Sequence, residues 1–162
     1  MKKILLMLFM AVLVVFCAGA EGIREISTEQ GIRTVMDFSE ITGKEWKLIE
    51  VHIDGLITQF RRSSLPREMD NCFSINFDRN TASGVGAPNR YSAPYADGED
   101  YTIRIMMVRS TRMASLFEIS SLKENDFFIY VQNSYHWNVI GGQFELHSKS
   151  ASGREVRLVF SL

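Results

Sequence analysis

The chain has 162 residues, of which 46% are hydrophobic and 23% charged, with a formal net charge of −1. That length holds one ordinary domain with a sizeable core. The near-neutral balance excludes the clustered basic face that nucleic acid demands, and Arg61, Arg62 and Arg67 read as a solvated loop end.

The first twenty residues read as an export signal. Lys2 and Lys3 precede an apolar run at 4–16, and Ala18-Gly19-Ala20 matches a small-x-small cleavage site. The run is short for a membrane span, which needs about 20 residues, although an uncleaved anchor helix is the alternative. Two processing routes are open. Cleavage after Ala20 releases a protein starting at Glu21, with 16 basic residues against 19 acidic ones. Acylation of Cys17 instead gives a lipid-anchored protein, and Phe16 is bulky where a lipoprotein signal wants a small residue. After cleavage only Cys72 remains, so the domain has no internal disulfide and rests on burial alone. Cys72 itself reads as a small buried hydrophobe.

Residues 21–42 are polar with scattered apolar positions and read as a tether, a short helix at 34–41 being the alternative. The domain is expected at 43–162. Strand formers fill residues 46–53, and Asp54-Gly55 predicts a tight turn with a return strand at 56–61. A loop with Pro66 follows. Phe73, Ile75 and Phe77 then alternate with Cys72, Ser74 and Asn76 at the period of a half-buried strand. Asp78 to Thr81 turns the chain, and residues 82–85 pair next.

The segment Ser83-Gly-Val-Gly-Ala-Pro-Asn-Arg-Tyr-Ser-Ala-Pro-Tyr95 is the most distinctive. Glycine and proline together specify a particular non-repeating turn. Pro94 predicts that residues 91–95 form a short edge or bulged strand. Tyr101, Ile103 and Ile105 alternate again, and 110–119 is ambiguous. Ser121-Leu-Lys-Glu124 has the form of a capping box, with Phe127, Val131 and Tyr135 recurring at four-residue intervals beside Phe128. This predicts one amphipathic helix ending near Ser134. Strands at 137–140 and around Phe144 and Leu146, then Val156, Leu158 and Phe160, complete the chain. The fold class expected is α+β and β-rich: an antiparallel curved sheet or partly open barrel of about eight short strands, with one amphipathic helix packed on it.

In order and spacing these elements resemble the META domain, or HslJ-like, family of bacterial envelope and heat-shock proteins, over residues 43–160. Gly43-Lys-Glu-Trp46-Lys-Leu48 resembles the family's opening tryptophan strand, and Phe73-Ser-Ile-Asn-Phe77 with Ser83-Gly-Val-Gly86 its next strands. Asn89-Arg90-Tyr91 with Tyr95 resembles its central Gly-Cys-Asn-x-Tyr-x-x-x-Tyr motif, and Thr111-Arg-Met113-Ala114 its Thr-x-Met-Ala-Cys motif. Glu124 with Phe127 and Phe128 resembles its helix, and Phe144-Glu-Leu146 with residues 153–160 its closing hairpin. Both family cysteines are missing: Ala87-Pro88 stands at the first and Ser115 at the second, as expected if the two positions are close in space. The resemblance implies an envelope protein, often a lipoprotein, associated with stress or drug tolerance, and no enzymatic reaction.

The residues themselves give no assembled reactive centre. His52, His136 and His147 are scattered along the sequence without zinc-like spacing and read as surface or strand-edge histidines. Neither a Gly-x-Ser-x-Gly elbow nor a complete phosphate loop occurs. The turn carboxylates Asp78, Asp97, Glu99 and Asp100 are explained by turn chemistry. No cofactor or metal is expected. Two interaction features stand out. One is the loop with Asn89, Arg90, Tyr91 and Tyr95, for which packing onto the sheet is the competing reading. The other is the helix with Phe127, Phe128, Val131 and Tyr135, which either lines a groove or forms core. The expected function is that of an exported, non-enzymatic periplasmic or envelope protein acting through an envelope protein partner or in stress tolerance. It touches the membrane only through a possible lipid anchor. The alternative is a binder of lipid or another apolar ligand between helix and sheet.

Overall fold

The computed structural model describes residues 37–114 and 122–162. The export signal, Cys17 and most of the tether lie outside the described residues, as do Ser115 and Ser121.

Among the described residues, ten strands and one α-helix follow in chain order: β1 (Trp46–Ile53), β2 (Leu56–Gln59), β3 (Ser74–Asp78), β4 (Thr81–Val85), β5 (Arg90–Asp97), β6 (Ile103–Ile105), β7 (Arg109–Ser110), α1 (Glu124–Gln132), β8 (His136–Ile140), β9 (Gln143–Lys149) and β10 (Glu155–Ser161). Eight of the strands form an antiparallel sheet in the order β6-β5-β4-β3-β1-β10-β9-β8. Its ends approach each other. Ile103 N donates to Tyr135 O at 3.1 Å, Trp137 N donates to Tyr101 O at 2.9 Å, and Thr102 bridges His136. The sheet is thus a nearly closed barrel with one helix, the α+β class expected from sequence.

Two long strands each divide one edge between two partners. Strand β1 pairs with β3 through Trp46 and Lys47 and with β2 from Glu50 to Ile53, after a bulge between Leu48 and Glu50. The Arg62 guanidinium enters this gap, donating to Leu48 O at 2.6 Å and Cys72 O at 2.7 Å. Arg62 is therefore half-buried rather than part of a solvated loop end, because the divided edge leaves carbonyls that need a donor. Strand β5 pairs with β4 on one side and with β7, then β6, on the other. It is longer than Pro94 suggested and is no edge. Tyr95 N faces Asn80 O on the β4 side, so the donor that Pro94 lacks falls where β7 gives way to β6.

The β1–β2 hairpin turns at Asp54 and Gly55, both with positive φ, as a two-residue turn requires. Alternating residues fill the barrel: Ile75 and Phe77 of β3, Phe144 and Leu146 of β9, and Leu158 and Phe160 of β10 are fully buried. Helix α1 covers the mouth where β3, β5 and β8 begin. Its Phe127 ring lies 5.2 Å from Phe73 and 5.9 Å from Tyr91, between centroids. The opposite mouth is filled by Phe38 and Ile41. Phe38 packs edge-on against Phe77 and Trp137, and Trp46 Nε1 donates to Ile41 O at 2.9 Å. Core therefore begins several residues before position 43, and residues 38–41, assigned to the tether from sequence, belong to the globule.

The helix departs from expectation at both ends. Lys123 occupies its N-cap without a side-chain bond, so Glu124 is no capping-box partner in the described structure. Tyr135 lies beyond the C-terminus, 43% exposed, with its hydroxyl donating to Glu155 Oε2 at 2.7 Å. The inward stripe is Phe127, Tyr130 and Val131, with Phe128 partly buried beside it.

Candidate functional site: the loop clamp and the outer sheet face

Two glycines permit close approaches around the end of β4, Gly84 to β3 and Gly86, just past the strand, to the helix. A Cβ on Gly84 would run into the Ser74 carbonyl, and one on Gly86 would stand 2.6 Å from Glu124 Oε1 and 2.7 Å from the Phe128 ring. Only a bare Cα lets β4 lie so close to β3 at Gly84 and the loop so close to the helix at Gly86. Just beyond, the chain turns through Ala87 and Pro88 to Asn89. Glu124 Oε1 accepts from Ala87 N at 2.5 Å and Asn89 N at 2.6 Å, while Glu124 Oε2 accepts from Asn89 Nδ2 at 2.6 Å. The same amide donates to Met113 O at 3.2 Å. Asn89 Oδ1 accepts from Thr111 Oγ1 at 2.8 Å and Met113 N at 2.7 Å. Every donor and acceptor of the buried Asn89 side chain is thus used. The clamp ties the β4–β5 loop, the 111–113 segment and the helix start together.

Most of the candidate interaction loop is consequently structural. Asn89, Tyr91 and Tyr95 are buried and only Arg90 is exposed. The Tyr91 hydroxyl donates to Ser74 O at 2.9 Å, and burial pushes its phenol far above the ordinary range. Tyr95 packs on Phe38 and Phe77. In the candidate groove, Phe127 and Val131 have no exposed surface, and Tyr135 has left the helix.

Beside the clamp lies a hollow of about 270 Å³, bordered by Met69, Cys72, Val85, Ala87, Pro88 and Met113 among others. Ala114 borders it too, so segment 111–114 and the Ala87-Pro88 turn are neighbours. Burial holds the Cys72 thiol up, against the pull of nearby Arg62.

The histidines, scattered in sequence, share one row. Register pairs His52 with Arg157, Arg157 with His147, and His147 with His136 across β1, β10, β9 and β8. Arg157 Nη2 lies 2.9 Å from His52 Nδ1, and His52 Nε2 lies 2.7 Å from Glu50 Oε2. A guanidinium only donates, so His52 Nδ1 accepts and the Nε2 proton goes to Glu50. The buried Glu145 carboxylate sits between Arg157 at 3.4 Å and His147 at 3.6 Å. The His147 and His136 rings are 5.3 Å apart. Burial is the main reason the His147 imidazole is held below its ordinary pKa. Sequence reasoning missed this row because register between distant strands has no local signature. Among the described residues, no group of three or more His, Cys, Asp or Glu is placed to hold a metal ion.

No known protein family and no curated protein matches the sequence. Solved structures similar to this chain include the following two. An NMR structure of a protein from Burkholderia xenovorans is 15% identical, with a TM-score of 0.50 over 84% of this chain and 99% of that one. A crystal structure of a DUF4847 family protein from Bacteroides vulgatus is 14% identical, with a TM-score of 0.48 over 76% of this chain and 94% of that one. At such identity, the likeness to the Burkholderia protein is one of fold.

Proposed function

We propose that this is an exported, non-enzymatic cell-envelope protein with a META/HslJ-like domain, acting through a protein partner in envelope maintenance or stress tolerance. The observation that carries this reading is the filled barrel: Phe127 has no exposed surface between Phe73 and Tyr91. A filled interior supports recognition at the outer surface over uptake of an apolar ligand between helix and sheet. The resemblance gains support from the clamp, which joins residues of three resembling motifs: Asn89, Thr111 with Met113, and Glu124. The test places a photo-crosslinking residue at exposed Arg90 in the full chain, in the native cell, followed by fractionation and mass spectrometry. A crosslinked envelope protein is the expected result. A stoichiometric lipid co-purifying with the uncrosslinked chain, or crosslinks confined to cytoplasmic proteins, overturns the reading.

A further inference from the structure

Strand β2 is the weakly guarded edge of this sheet. Among the described residues it pairs with β1 alone. Its sequence, Leu56-Ile57-Thr58-Gln59, carries no charge and no proline, and Leu56 and Ile57 are 76% and 57% exposed. Natural edges are usually blunted by lysine, proline or a bulge, and an edge without them is a template for another strand.

The register says which groups are open. Leu56 opposes Ile53 across the two-residue turn, and Phe60 N donates to Ile49 O at 2.8 Å. Alternation therefore turns the main-chain groups of Leu56, Thr58 and Phe60 toward β1, and those of Ile57 and Gln59 away from it. Among the described residues, no backbone group pairs with that outward side.

We propose that β2 pairs antiparallel with β2 of a second copy of this chain, across a two-fold axis at Thr58. In this register Ile57 of each copy faces Gln59 of the other, and four main-chain hydrogen bonds use every outward group of the strand. A two-fold centred on Ile57 would use only two of them within the strand, because Gly55 belongs to the turn. Charge is compatible with the same arrangement. Asp54 stands at the hairpin tip, 3.1 Å from Arg154, and exposed Arg61 at its base, while the Arg62 guanidinium is turned inward onto Leu48 O and Cys72 O. Antiparallel pairing sets the tip of each copy beside the base of the other, while the strand between offers no like charges to repel. Thr58 meets its own counterpart, a favourable cross-strand pair, and exposed Leu56 gains cover. Twofold symmetry makes such a contact self-complementary.

The test is sedimentation of the purified full chain from micromolar to millimolar concentration, with amide hydrogen exchange read at both extremes. Dimerisation with protection of the Ile57 and Gln59 amides is expected. Ile57→Pro removes an outward donor that β1 does not use, and Ile57→Lys places a charge on the edge. Each should weaken dimerisation by about tenfold or more, and the lysine variant decides if the proline variant fails to fold. A monomer at every concentration, or a dimer that neither variant weakens, overturns the proposal. A crosslinked partner at Arg90 bears on the proposed function alone.

Discussion

Asn89 and Glu124, 35 residues apart in sequence, meet at 2.6 Å, and the carboxylate takes both the main-chain N–H and the side-chain amide of the asparagine. The arrangement cannot be inverted. Turning the Asn89 amide to suit a donor at position 124 would set its NH₂ against Thr111 Oγ1 and Met113 N, which now give hydrogen bonds to its oxygen.

Glu124→Gln therefore leaves a donor facing a donor, although size and shape are kept. A loss of about 1–3 kcal/mol is expected, the cost of an unsatisfied buried polar group, measured as the urea midpoint at unchanged m-value. Asn89→Asp should be worse at neutral pH, because it sets two carboxylates together, and should recover partly on acidification. A neutral outcome for both would show that the clamp adds nothing to stability.

Phe127→Ala removes a ring with no exposed surface from between Phe73 and Tyr91. The expected cost is about 3–5 kcal/mol, as for other buried aromatic truncations. A loss below about 1 kcal/mol together with a missing crosslinked partner would move Phe127 from core to interface.

Local chemistry made the strands legible and non-local chemistry hid the site. Trp46–Ile53 and the Asp54-Gly55 turn appear where the sequence placed them, since alternation and turn residues act within a few positions. Glu124 has the spacing of a capping box, yet its carboxylate serves a loop 35 to 37 residues earlier. Nothing within four residues could reveal that. Arg62 reads as a loop cation until the divided edge of β1 supplies its acceptors. Phe38 and Ile41 look like isolated apolar residues in a polar stretch, and only the closed barrel gives them a mouth to fill. The row of histidines depends on the order of β1, β10, β9 and β8, which no short window contains.

The two glycines before the clamp should differ in tolerance. At Gly84 an added methyl meets the Ser74 carbonyl, a main-chain atom fixed between strands, while at Gly86 it meets the side chains of Glu124 and Phe128. Side chains can give way where backbone cannot. Gly86→Ala is expected to cost about 1–3 kcal/mol through displaced packing, and Gly84→Ala more. The check is thermal and urea melting of both variants. Equal tolerance would mean that β4 can shift away from β3 without penalty.

Acid should weaken the fold in two separable stages. His147 is held below its ordinary pKa, first by burial and also by His136 and Arg157, against the opposing pull of Glu145 and Glu155. His52, Glu50, Tyr101 and Lys149 are the other ionisable groups on or beside the row. The unfolded chain binds a proton at this imidazole more readily than the folded one does. Stability is therefore complete above the unfolded histidine value, about 6.5, and declines as pH falls from there through the lower folded value. The second stage belongs to Asp37, Asp70 and Glu155, whose carboxyls are lowered by hydrogen bonds from Ser39, Lys47 and Tyr135 respectively. Their contribution is present above the ordinary carboxylate range and is lost only as pH falls through it and below. Urea midpoints taken from pH 8 to pH 3 should show a decline beginning near the histidine range, which His147→Gln flattens while leaving the acidic stage in place. A variant whose profile matches the parent chain throughout would show that the imidazole titrates alike in folded and unfolded protein.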